Sequence, residues 1–345
     1  MSSKQRVIGG MFGIEEIPSS DKHYIPSFMN QQSALLINAR SGIFLLLELL
    51  SPRNIWVPSY LCGAILEAID DRTTRIRFYE VDYDLALAPL DWLEDVEPGD
   101  VVILIDYFGF PHNRPDIARI KERGAWVLED ACQALLSGGV GDLSDFVLFS
   151  PRKFLGVPDG GILISNVECS LYDIDLNSPP SKWWLNALRA AALRSKFDAH
   201  GGSRRWFELF KEVEAECPVG RYAMSEISKK ILTSGFDWSA MAQQRARNYE
   251  VLAAKLGRVA VFPNLYSNVV PLGFPIRIKN RTQIRQTLFD HEIYPPIHWP
   301  IQGLVPEKFR HSHNLASEII TLPCDQRYNS EDMERMAQLV LREVK

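Results

Sequence analysis

At 345 residues, the chain has room for two domains, or for one large domain with a smaller attachment, at roughly 100–200 residues per domain. Hydrophobic residues make up 46% and charged residues 23%, enough to bury a sizeable core. The net charge is -5 with no long run of one sign, so the clustered basic face of a nucleic-acid binder is excluded.

The opening stretch MSSKQRVIGGMFG starts basic but lacks an apolar run of about 7–15 residues and a small-residue cleavage site, so no signal peptide is expected. The apolar run over 43–50, broken by Glu48, is far shorter than the ~18 residues of a membrane span. Cys62, Cys132, Cys169, Cys217 and Cys324 are scattered and lack CxxC spacing. Neither a disulfide framework nor a zinc site is expected, and a reducing cytoplasm is the expected home.

In chain order, the pattern predicts a helix over 42–50 (GIFLLLELL), a strand over 55–58 (IWVP) and a helix over 60–69. A strand over 75–80 (RIRFYE), a strand over 101–106 (VVILID), a helix over 115–122 and a strand over 125–129 (AWVLE) follow. Strands over 146–150 (FVLFS) and 161–165 (GILIS) come next. Near-continuous apolar strands separated by helices predict an α/β fold with a mostly parallel sheet covered on both faces. Ligands of such sheets sit at the carboxyl ends of the strands. That rule points to 58–60, 106–109, Asp130 and Ser150.

Beyond Asn166 the pattern predicts helices over 182–197, 206–216, 224–233 and 238–256. A strand over 269–278, a helix over 282–291, a turn with Pro295, Pro296 and Pro300, and a helix over 330–344 complete the chain. Ser330, followed by Glu331, Asp332 and Glu334, suits the start of that last helix. The expected division is a large domain over 1–240, with an N-terminal arm, and a smaller α+β domain over 241–345.

Residues 128–161 carry the densest chemistry. A carboxylate at Asp130, at the sheet's carboxyl edge, can pair with a protonated ring nitrogen and keep that ring electron-poor. It can equally cap a helix beginning at Ala131. Lys153 follows a strand and precedes a Gly-rich turn. A buried lysine amine forms a Schiff base with an aldehyde and serves as a base; an isolated surface lysine would do neither. Asn38 to Gly42 (NARSG) opens a helix, where backbone N–H groups and the Ser41 hydroxyl can cradle a phosphate, or Ser41 can simply cap the helix.

The segment EDACQALLSGGVGDLSDFVLFSPRK with the later PDGG resembles the cofactor core of the DegT-type family of pyridoxal-phosphate (PLP) dependent sugar aminotransferases. NARSG, IWVPSYLCGAIL, DYFGFPHNRPDI, VGRYAMSEISKKIL, YPPIHWPI and TLPCDQRYNSEDM resemble further family motifs in the same order. The resemblance implies the aspartate-aminotransferase fold, with a seven-stranded-type sheet in the PLP-binding domain. Lys153 would form the Schiff base and shuttle the proton, Asp130 would pair with the pyridine nitrogen, and Gln133 would lie near the cofactor's phenolic oxygen. Ser150 and Ser41, with Arg40 and Gly42 in the same loop, would hold the phosphate. A homodimer is implied, as are glutamate as donor and a nucleotide-linked keto-sugar as acceptor. Retention of Lys153 favours transamination over the family's sugar dehydratases. Another PLP reaction and a non-catalytic PLP-binding regulator are the alternatives.

Some positions depart from the family pattern. Ser150 and Lys153 stand two residues closer together than usual, and Arg152 directly precedes the lysine. The aromatic expected after the IWVPSY segment falls on Cys62, leaving Tyr60 or Tyr107 as candidates to stack on the ring. Arg40 stands where the family has glycine. Arg221 stands where a partner subunit lends an asparagine to the phosphate; an arginine there can pair bidentately with phosphate or be an ordinary surface residue. His298 and Trp299 could line the pocket or pack away from it. The basic residues from Lys182 to Arg205 could reach a nucleotide's phosphates or form a solvated helix face.

Overall fold

The computed structural model describes residues 6–18, 24–30, 32–87, 90–112, 114–169, 171 and 174–344. The first five residues of the expected N-terminal arm, and Asn113 of the DYFGFPHNRPDI motif, lie outside them. The elements are β1 (Ile8–Gly9), β2 (Ser33–Leu36), α1 (Ala39–Leu50), β3 (Asn54–Pro58), α2 (Gly63–Leu66), β4 (Arg75–Tyr79) and β5 (Val101–Ile105). Next come α3 (Arg114–Glu122), β6 (Trp126–Asp130), β7 (Phe146–Phe149), β8 (Gly161–Ser165), α4 (Ser181–His200), α5 (Arg205–Ala215), α6 (Glu226–Leu232) and α7 (Trp238–Leu256). The chain closes with β9 (Phe274–Arg277), α8 (Arg281–Asp290), β10 (Ile293–Tyr294), α9 (Arg310–Glu318), β11 (Ile319–Leu322) and α10 (Ser330–Glu343).

Seven strands form one sheet in the order β2-β8-β7-β6-β5-β3-β4. Neighbours from β4 through β7 run parallel, and β8 runs antiparallel to both β7 and β2. The connection from β7 to β8, residues 150–160, is shorter than the dozen or so that a parallel crossover needs, so β8 must return in the opposite direction. Every residue of β3, β5 and β8 is buried, which is why these strands read as unbroken apolar runs rather than alternating ones. One sheet face packs with α1 through Ile43, Leu46 and Leu148; the other packs through Phe149, Phe154, Ile162 and Leu232.

A second core gathers Leu252 of α7, Ile276 of β9, Leu288 of α8, Ile320 of β11 and Met336 of α10. Ile8 belongs to this core, because β1 pairs with β10 in parallel. The chain's N-terminal arm is therefore fastened to its C-terminal third.

Several expectations need correcting. The helix over 60–69 shrinks to Gly63–Leu66, because Tyr60 and Leu61 are buried in the core and Cys62 is extended at the helix cap. The strand over 269–278 shrinks to Phe274–Arg277, paired antiparallel with the unforeseen β11. The last helix does begin at Ser330 with Glu331 and Asp332 in its first turn, and Asn329 caps it: its side chain accepts from Asp332 N–H while Asp332 accepts from Asn329 N–H. Among the described residues no helix is long and apolar enough to cross a membrane.

Candidate active site

A cavity of about 540 Å³ opens where β6 and β7 end. The register sets Asp130, the last residue of β6, beside Leu148 of β7. β7 ends one residue later, and the turn Pro151–Lys153 brings Ser150 and Lys153 back onto the same wall. The opening turn of α1 supplies Arg40, and α5 lies across with Trp206, Phe207 and Glu214.

Asp130 is only 7% exposed. One of its oxygens accepts the Cys132 N–H at 3.1 Å, so it does cap the turn after β6. Among the described residues it has no cation in an ion pair. A buried carboxylate in that position is costly unless a cationic group comes to it. The protonated nitrogen of a pyridine ring is such a group. The Ser150 hydroxyl and the Lys153 amine also have no hydrogen-bond partner among the described residues, and both line the cavity. The residues present therefore fit PLP.

Other expected site residues stand elsewhere. Ser41 and Gly42 are off the cavity wall, because this step of α1 faces the sheet: a Cβ on Gly42 would lie 2.5 Å from Leu148 Cδ1. Ser41 does not cap α1; Asn38 does, accepting Ser41 N–H at 2.9 Å, and the Ser41 hydroxyl is buried without a partner. Gln133 sits behind the wall, where its Oε1 accepts Phe108 N–H at 2.6 Å and its Nε2 has no partner. Tyr60 is fully buried and donates its hydroxyl to the His298 carbonyl; its ring packs 5.8 Å from Tyr107 and 5.6 Å from Trp299. Neither tyrosine faces the cavity. Cys62, Cys132 and His298 do. Arg221 is exposed and pairs with Glu48 at 2.9 Å, away from its own chain's cavity.

The electrostatics keep several of these groups neutral. Burial, aided by the Lys153 charge, holds the His298 imidazole down to about 3, and its Nδ1 lies 2.8 Å from the Thr321 hydroxyl. Burial pushes the Cys62 thiol up, partly offset by Lys153. The Cys132 thiol is raised further by burial and then by Asp130.

Five arginines line the cavity, and sequence reasoning foresaw only Arg40 as a cofactor contact. Arg40, Arg152 and Arg327 are each paired with a carboxylate. Among the described residues Arg204 and Arg285 have no such partner. Arg204 lies 4.0 Å over the Tyr294 ring, Tyr294 packs 5.3 Å from Phe289, and Arg285 lies 4.5 Å over Phe289. The Nε of each is buried without a partner. Of the basic stretch before α5, Arg194 is buried against Asp198 and the Gly9 carbonyl, while Arg204 reaches the cavity. A motif could not have marked Arg285 or Glu214, which lie on α8 and α5, outside the cofactor segment.

The chain matches the model of the DegT/DnrJ/EryC1/StrS aminotransferase family over residues 64–341. No curated protein sequence matches it. Among solved structures it resembles DesV of S. venezuelae in complex with a ketimine intermediate, at 16% identity and a TM-score of 0.68, covering 91% of this chain and 85% of that one. It also resembles the sugar aminotransferase CalS13 of Micromonospora echinospora, at 14% identity and a TM-score of 0.66, covering 99% of each. The aminotransferase TlmJ of Streptoalloteichus hindustanus is similar at 20% identity and a TM-score of 0.64, over 90% of this chain and 85% of that one. At such identities these likenesses speak for the fold, and the family model speaks for the chemistry. The chain belongs to the DegT/DnrJ/EryC1/StrS aminotransferase family and is a PLP-dependent transferase.

Proposed function

We propose that the protein moves an amino group from glutamate to a keto-sugar carried on a nucleotide. The observation behind the acceptor is the Arg204–Tyr294–Phe289–Arg285 ladder, which leaves two guanidinium groups on the cavity wall with no carboxylate partner among the described residues. Guanidinium groups recognise phosphate oxygens bidentately, and a diphosphate offers them several.

Bound PLP supplies an aldehyde that condenses with amines and a ring that draws off the electrons of a broken Cα–H bond. Lys153 Nζ is the amine that holds the cofactor and the base that carries the proton during transfer. Asp130 stabilises positive charge on the ring nitrogen. Ser150 donates its hydroxyl at the phosphate end. The neutral His298, Cys62 and Cys132 put no additional charge beside Lys153.

The same reading makes the protein a cytoplasmic homodimer, with the exposed Arg221 turned toward the partner's cofactor. The five free cysteines are consistent with a reducing compartment. The separate C-terminal core supports a domain division near residue 240.

The test is product analysis by mass spectrometry, with glutamate as donor and nucleotide-linked keto-sugars or the free sugars as acceptors. Amination of only the nucleotide-linked forms is expected. Equal amination of free sugars would remove the assigned role of Arg204 and Arg285.

A further inference from the structure

One part of the cavity wall is built from charged side chains. Arg40, Arg152 and Lys153 all line it, together with Glu214, whose side chain is 34% exposed. The helix start that might have offered a backbone cradle is partly closed: the Asn38 side chain already takes the Ser41 N–H, and Gly42 packs against Leu148.

Glu214 bridges the two arginines. One of its oxygens pairs with Arg152, and the other lies 3.8 Å from Arg40. Burial alone would push the Glu214 carboxyl up, but Arg152 and Arg40 more than offset it and hold it below its ordinary value of 4.5. Arg40 also lies 2.9 Å from Glu67, which is 60% exposed and held only weakly. An anion held between two guanidinium groups within the field of Lys153 is an arrangement that also suits a phosphate monoester. A phosphate carries nearly two negative charges and three acceptor oxygens, against one charge for the carboxylate.

We propose that Glu214 stands in for the cofactor's phosphate and competes with it for Arg40 and Arg152. Binding of PLP then exchanges one anion for another on the same two arginines. The carboxylate keeps this charged end satisfied without the cofactor, and it lowers the affinity for the cofactor by the strength of the pairing it gives up. Glu214 sits on α5, whose Trp206 and Phe207 also line the cavity, so the exchange loosens the tether of that helix as PLP enters.

The proposal rests on PLP as the cofactor, and the test separates the two. The cofactor is stripped from the full-length protein, and PLP, unphosphorylated pyridoxal and inorganic phosphate are titrated by calorimetry. Wild type is compared with Glu214→Gln, Glu214→Asp and Arg152→Gln, with a thermal melt of each apo variant as the folding control. Glu214→Gln keeps the side chain's shape and removes its charge. It should bind PLP and phosphate about tenfold tighter, a factor worth ~1.4 kcal/mol, and bind pyridoxal as wild type does. Glu214→Asp, with a shorter reach, should shift affinity in the same direction by less. Arg152→Gln should bind PLP and phosphate at least tenfold more weakly. Glu214→Gln binding PLP equally or more weakly, in a folded protein whose wild type binds PLP normally, overturns the exchange alone: Glu214 would then position Arg152 rather than compete. Wild type that binds no PLP overturns the exchange and the cofactor assignment together.

Discussion

Asp130 and Lys153 stand on one cavity wall because the strands that precede them are neighbours: Asp130 closes β6, β7 lies beside it in parallel, and Lys153 follows in the turn beyond β7. The sheet's topology thus converts a separation of 23 residues into a shared site.

Asp130 caps the turn after β6, and substitutions can separate that duty from its proposed pairing with the ring nitrogen. Asp130→Asn retains an oxygen to accept the Cys132 N–H but loses the charge. It should melt as wild type does and lose at least ~100-fold in turnover, in the range seen when one preorganised electrostatic group is removed. Asp130→Ala should lose the same activity and about 1 kcal/mol of stability, the usual worth of a cap. Urea unfolding followed by circular dichroism, beside initial rates, checks both. An active Asp130→Asn would show that the ring nitrogen needs no carboxylate.

Gly161 opens β8 against the first turn of α1. A Cβ there would lie 2.2 Å from the Asn38 carbonyl carbon and 2.6 Å from the Ala39 nitrogen, both backbone atoms. Gly161→Ala should therefore shift the start of α1, costing about 1–3 kcal/mol as overpacking does. Because Arg40 sits in that turn, cofactor affinity should fall as well. A denaturant midpoint unchanged from wild type would contradict this.

Much of the sheet was legible in the sequence, and the reason is burial. The runs VVILI and FVLF belong to strands covered on both faces, where nothing polar interrupts the pattern. The stretch over 60–69 misled because its hydrophobicity serves the core and not a helix face; Tyr60 is fixed by a carbonyl 238 residues away, which no local pattern records. β11 escaped notice because it is four residues long and follows α9 directly, with no turn residues to set it off. Of the site, Lys153, Asp130, Ser150 and Arg40 share the cavity, whereas Ser41, Gly42, Gln133 and Tyr60 lie behind its wall. Glu214 was invisible for another reason: α5 carries three glutamates within EVEA and its upstream turn, and only tertiary packing selects one of them.

The two unpaired arginines should govern acceptor binding. Arg204→Gln or Arg285→Gln should raise KM for a nucleotide-linked acceptor by about 10–100-fold, the worth of one charge-assisted hydrogen bond at about 1.5–3 kcal/mol. The half-reaction with glutamate should be little changed. Steady-state kinetics with both substrates varied gives the answer, and an effect on glutamate alone would reassign these arginines to the donor.

His112 should contribute to acid sensitivity. Its Nε2 lies 2.7 Å from the Ile105 carbonyl, and burial holds the imidazole down to about 4 from its ordinary 6.5. Its folded value lies below its unfolded one, so acid protonates the unfolded chain first. Stability falls as pH drops below 6.5 and levels off near 4. The ceiling is about 3 kcal/mol, at ~1.4 kcal/mol per pKa unit. His112→Gln can still donate to the carbonyl but cannot titrate, so its stability should fall less than wild type over that window. Parallel pH profiles would contradict the assignment.

The central claim is that Lys153 holds PLP covalently and that the bound cofactor accepts an amino group. The most direct measurement is the absorbance spectrum of the purified protein reconstituted with PLP, for wild type and Lys153→Ala, before and after glutamate. Wild type should show a visible band that glutamate bleaches, and Lys153→Ala should lack that band. A wild type that stays colourless with PLP, or a variant that keeps the band, would contradict the account.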